Sequence, residues 1–168
     1  MTPEGDICIL EIGYLKAHFK TYLPGSYGHE QFCETLPEAS EAVFVMEYEH
    51  DSLAEMMIEF RIIRELTGKR EFTREKDIKK IDDLESITVA YHPPQREPDV
   101  FSITHQFEDP GWYVGIITAR TLALDETYVA VFPFKVGFTG YRYWPFVGFA
   151  IALLGSALYY DSRRERSA

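Results

Sequence analysis

Apolar and polar side chains alternate over several short stretches of this chain, the pattern of strands with one buried face. The cleanest case is "MMIEFRIIRE", where Met56, Ile58, Phe60 and Ile62 oppose Met57, Glu59, Arg61 and Ile63. "EAVFVMEYEH" (41–50) alternates likewise, with Phe44, Met46 and Tyr48 on one face and Val43, Val45 and Glu47 on the other. "ICILEIGYLKAHFKTYL" (7–23) predicts one long strand or two, and "SYGHEQFCETLP" a loop with room for one helical turn. Farther on, "ITVAYH" (closed by "PPQREP"), "VFSITHQF", "WYVGIITARTL" and "TYVAVFPFKVG" each read as a strand bounded by turn residues. One segment breaks the series. "TREKDIKKIDDLES" spaces Ile78, Ile81 and Leu84 three apart behind Thr73 as N-cap, which predicts a short amphipathic helix bridging two sheets. About seven strands and one short helix predict an all-β domain, an immunoglobulin-like antiparallel β-sandwich over residues 1–138.

The end of the chain follows a different pattern. "YRYWPFVGFAIALLGSALYYDSRRER" carries no charge from Tyr143 to Tyr160, and Phe146–Leu158 is apolar apart from Gly and one Ser. Eighteen residues in a helix span roughly 27 Å, close to the hydrocarbon thickness of a bilayer. Tyr141, Tyr143 and Trp144 at one border and Tyr159 and Tyr160 at the other suit an aromatic belt, and Pro145 falls in the first turn. A single transmembrane helix over 141–160 is therefore expected, followed by a short basic tail over 161–168. Arg163, Arg164 and Arg166 after the helix outweigh Lys135 and Arg142 before it, which favours a cytoplasmic C-terminus and a periplasmic domain. Residues 1–20 show no basic, apolar and small-residue order of a signal peptide. Two alternatives follow: a mature or truncated form of an exported protein, or a cytosolic tail-anchored adaptor. Within the helix, Gly148, Ala152 and Ser156 recur every fourth residue with Gly155 beside them, a face on which another helix could pack closely.

Composition narrows the function classes. Aromatic residues make up 15% of the chain, which suits β structure, and a net charge of −10 argues against nucleic-acid binding. The basic stretch "KREFTREKDIKK" is interleaved with acids and reads as a solvated helix face. Cys8 and Cys33 are an even pair, which in an external domain permits a disulfide.

Tyr113 follows the turn "EDPG" at the start of a strand, the place of a tyrosine corner whose hydroxyl bonds back to the loop. The stretch "FEDPGWYVGIITARTLALDETYVAVFPFKVG" resembles the closing strands of membrane-anchored periplasmic immunoglobulin-like domains of the YtkA-like and FixH-like kind. Pro110, Gly111, Tyr113, Phe132, Phe134 and Val136 carry the resemblance, which covers about 31 of 168 residues. It implies an envelope location and an accessory role beside a membrane complex. FixH-like proteins carry their anchor in front of the domain, whereas here it follows.

Candidate chemistry is sparse. "HEQFC" (29–33) has the spacing of a zinc-protease motif, but Cys33 stands where the second His belongs and Pro37 ends any helix. Copper on His and Met is the more serious alternative. Its candidates are His29, His50 and Met46, with His18, His92, His105, Met56 and Met57 behind them. Met46 and His50, four apart on a strand, are roughly 13 Å apart and cannot share an ion. No nucleophile elbow or phosphate-binding glycine loop is present, and Asp82 and Asp83 read as solvated. The sequence thus predicts a non-enzymatic accessory or structural subunit of a membrane protein complex, in the bacterial cytoplasmic membrane. Its partners would be integral membrane subunits and the lipid bilayer. A metal-binding envelope protein is the second reading and the cytosolic adaptor the third.

Overall fold

The alternating stretches become two facing sheets in the computed structural model, which describes residues 2–4, 7–121, 126–137 and 148. The chain divides into two units, 1–138 and 139–168. Among the described residues no helix is long and apolar enough to cross a membrane. The helix expected over 141–160, with Ala152, Gly155 and Ser156, lies outside them apart from Gly148.

The first sheet orders its strands β1 (Thr2–Glu4), β2 (Ile7–Ile12), β3 (Leu15–Tyr22), β6 (Glu41–Tyr48) and β9 (Val100–Gln106), with β4 (Gln31–Phe32) also paired to β3. The second runs β5 (Thr35–Leu36), β11 (Thr127–Val136), β10 (Gly111–Arg120), β7 (Met57–Arg64) and β8 (Thr88–Arg96). Every pairing is antiparallel except β5 with β11. The segment 7–23 is two strands, because Gly13 turns the chain at φ +65° beneath the ring of Tyr128, where a Cβ would lie 2.4 Å from a ring carbon. The loop after it contributes β4 and β5 instead of a helical turn. Among the described residues of the sandwich helical structure is brief: α1 (Asp51–Ala54), α2 (Glu75–Ile78) and 3-10 turns at Arg70–Phe72 and Glu85–Ile87.

The inner faces meet through phenylalanine. Phe19 of the first sheet touches Phe132 of the second at 4.5 Å between ring centroids, Phe44 touches Phe60 at 5.9 Å, and Phe101 touches Phe60 at 5.5 Å. All of these rings are buried, as are Phe107 and Phe134. Gly115 on β10 is the gap that admits the Phe132 ring, since a Cβ there would sit 2.1 Å from it.

The expected bridging helix is a correction. Residues 65–87 leave the end of β7 and fold over the outer face of the second sheet. There Ile78 packs with Ile63, Val114 and Ile116, flanked by Ile81, Leu84 and Ile87. The helix is one turn long and starts after Arg74, not Thr73. Thr73 instead turns its hydroxyl to the Arg70 carbonyl, 2.8 Å away. This cover explains why Tyr113–Ile117 are buried at every position, unlike the half-buried strands of the first sheet. β8 also runs on through Pro93 and Pro94, which an outermost strand tolerates because one of its N–H rows bonds to no neighbour.

Cys8 on β2 and Cys33 just after β4 are joined by a disulfide with Cα atoms 5.7 Å apart. It fastens the loop after β3 to the first sheet.

Candidate functional site

Three features set one end of the sandwich apart. Gly111 at the start of β10 pairs with Val136 at the end of β11, and Tyr113 pairs with Arg64 at the end of β7. Two strand ends and one beginning therefore lie side by side where the chain leaves the sandwich at Gly137. Tyr113 is 2% exposed, and its hydroxyl donates to the Asp109 carbonyl at 2.8 Å, the tyrosine corner that the "EDPG" turn predicts. Burial pushes its phenol pKa up. The Asp109 carboxylate meanwhile pairs with the Arg64 guanidinium, which stands 5.9 Å over the Tyr113 ring. A cleft of about 250 Å³ opens beside this pair, with His105 and Phe107 in its wall. His105 stacks edge-on to Phe107 at 4.7 Å, and burial lowers its pKa against an opposing effect of Glu108.

The loop after β7 is organised by two carboxylates. The Glu65 N–H donates to the Trp112 carbonyl at 3.0 Å, which ties the loop to the start of β10. Its side chain accepts from the Thr67 N–H at 2.8 Å, from the Thr67 hydroxyl and from the Thr73 hydroxyl at 3.4 Å. Burial raises the Glu65 pKa, but bonds from Thr67, the Arg70 amide and Thr73 outweigh it and leave the carboxyl below its ordinary value. Asp77, 4% exposed, receives the Lys69 ammonium at 2.5 Å and the Arg74 N–H at 3.1 Å. The Lys69 bond lowers its pKa, burial opposes this, and the Arg74 amide assists. Asp77 borders a cleft of about 350 Å³, with Lys69 and Lys80 beside Leu66, Ile81 and Ile87 in its wall.

At the far end, β6 and β8 bring together groups that are distant in sequence. The His92 ring meets Phe101 at 5.0 Å, and its Nε2 lies 2.9 Å from the Gln95 amide, which also donates to Glu97. Among the described residues the buried Tyr48 hydroxyl and His92 Nδ1 have no hydrogen-bond partner. Burial, with Glu97 in support, pushes the Tyr48 phenol up to about 12.

The metal candidates named by the sequence do not converge. His29 is exposed in the turn after β3, beside the start of β6, while His50 is exposed after its end. The eight residues of β6 put roughly 25 Å between those ends. Met46 lies between them with its side chain wholly in the core, as does nearly all of Met56. Cys33 is committed to Cys8, so "HEQFC" has no thiolate to offer. His18 pairs with Glu49 at 2.7 Å. Among the described residues no three His, Cys, Asp or Glu side chains are grouped as a metal ion requires. The sequence reading missed Arg64, Glu65, Lys69 and Tyr48, because each takes its partner from a remote element or a loop turn. Asp77 had a local signal as the third helical residue, where an acid caps the first turn.

No protein-family model and no curated protein matches this chain. Among solved structures it is similar to the soluble domain of PmoD from Methylocystis sp. ATCC 49242 (Rockwell). The two are 25% identical with a TM-score of 0.65, and the likeness covers 79% of this chain and 100% of that one. A lytic polysaccharide monooxygenase of the AA10 class from Streptomyces lividans gives a TM-score of 0.40 at 8% identity, over 67% of this chain and 62% of that one, too slight to bear on fold or function. The PmoD likeness supports a β domain of the same fold. It does not extend to the YtkA-like and FixH-like families, for which no match appears.

Proposed function

We propose that this chain is a membrane-anchored accessory or structural subunit of a membrane protein assembly. In this reading an immunoglobulin-like sandwich stands outside the cytoplasmic membrane, residues 141–160 cross it, and the basic tail is cytoplasmic. The sandwich performs no catalysis and serves as a binding body. One observation carries the reading. The likeness covers the whole of a domain named for its solubility, and about as much of this chain as the sandwich occupies. The uncharged run Tyr143–Tyr160 comes after the sandwich. A soluble binding body followed by an apolar segment suits a protein held beside membrane partners. The resemblance of residues 107–137 to envelope domains agrees with it.

The test is isolation of the intact chain from membranes in mild detergent. An integral membrane protein is expected to co-purify in fixed proportion, and recovery of the chain by itself would overturn the reading. In spheroplasts, external protease should remove the sandwich. Full protection would favour the cytosolic adaptor.

A further inference from the structure

The loop 66–73 places two exposed apolar side chains in a basic stretch of the chain. Leu66 is 66% exposed and Phe72 is 67% exposed, although each stands next to charged or polar residues that could have taken its place. Around them the charge reverses. Residues 69–80 hold six Lys and Arg against three acids, in a chain whose net charge is −10. Two of those acids are engaged within the segment, Asp77 by Lys69 and Glu75 by Lys79, so Arg70, Arg74, Lys76 and Lys80 stand against Glu71. The cleft beside the loop is lined by Leu66, Ile81 and Ile87 together with Lys80 and with Lys69, whose ammonium is held by Asp77 in the same wall. A phosphate with an apolar body attached would meet Lys80 there while the body lies on the apolar side chains.

Position adds the third argument. The Glu65 N–H ties the loop to the Trp112 carbonyl, next to the Gly111–Val136 pair where the chain leaves the sandwich. Only six residues separate Val136 from Tyr143, and a linker of that length reaches at most about 25 Å. We propose that the loop 66–73 and its cleft dock on anionic lipid headgroups, with Leu66 and Phe72 entering the interface and the surrounding Lys and Arg meeting phosphates. The inference rests on the anchored reading above. Exposed apolar side chains ringed by basic ones are what binding at such an interface requires, and the attraction acts within about one Debye length. Docking would hold the sandwich in one orientation toward its membrane partners.

The test uses the full chain in vesicles containing phosphatidylglycerol, with an environment-sensitive fluorophore on Glu71→Cys or, at the far end, on Asp51→Cys. Nitroxide lipids labelled near the headgroup should quench position 71 several-fold more than position 51. Neutral vesicles, or Arg70→Asn with Lys80→Gln, should abolish most of that difference. This pair spares the Lys69–Asp77 contact, and Asn suits the positive φ of residue 70. Equal quenching at 71 and 51 in a chain that resists alkaline extraction overturns the docking surface and keeps the anchor. Strong quenching at 71 in a chain that alkali removes does the reverse, and loss of both overturns both. Shielding of position 71 that needs a co-purified protein and not lipid would assign the surface to an acidic protein partner.

Discussion

Tyr113 and Gly115 show how single positions on one strand hold different parts of the sandwich. The Tyr113 hydroxyl is buried and bonded to the Asp109 carbonyl, so Tyr113→Phe leaves that carbonyl short of a partner while keeping the ring in place. The expected loss is about 1 kcal/mol, read as a lower urea midpoint with an unchanged slope. Gly115 is more demanding. Its missing Cβ is the space that the Phe132 ring occupies, and the ring is held by Phe19, Phe60 and Phe134. Gly115→Ala should cost about 1–3 kcal/mol as an overpacked core, and pairing it with Phe132→Leu should recover part of that in a double-mutant cycle.

At the scale of elements, the disulfide and the outer cover act separately. Cys8–Cys33 closes a loop with a sequence separation of 25 residues, for which the chain-entropy model gives about 3 kcal/mol. Cys8→Ala with Cys33→Ala should therefore lower the denaturation midpoint and loosen β4 first, as hydrogen exchange at Gln31 and Phe32 would report. The cover 65–87 depends instead on ionised carboxylates. Glu65 and Asp77 both have their pKa lowered by folding. Their contribution is complete above the pKa of the unfolded carboxyls and is lost as pH falls through the folded values. Exchange protection of the Thr73 and Ile78 amides should hold steady from neutral pH to about 5 and fall below about 4. Asp77→Asn should weaken protection at neutral pH and flatten that acid slope; a slope unchanged by the variant would assign the effect to another group.

For the whole molecule, the proposed membrane assembly is tested best at the end of the chain. Gly148→Leu with Ala152→Leu fills the small-residue face of the expected helix. Recovery of the partner complex should drop while insertion persists. If both survive, the sandwich holds the partner and the segment is only a tether.

Much of the sandwich was legible in the chain, because alternation is a local property. Ile58, Phe60 and Ile62 declare an inner face within one strand, and the structure buries all three. The Tyr113 corner was legible for the same reason, since its acceptor lies four residues away. What tertiary structure decided is everything that depends on a remote neighbour. The apolar outer positions Ile63, Val114 and Ile116 do not say what covers them, and it took packing to place Ile78 there instead of between the sheets. The scattered histidines and Met46 could be judged only once β6 held His29 and His50 at opposite ends and turned Met46 into the core. The joining of Tyr48 with Glu97, or of Arg64 with Asp109, spans 45 residues or more. Periodicity reports which face a side chain takes, whereas a site is made by which faces meet, and that is settled by the order of strands in the two sheets.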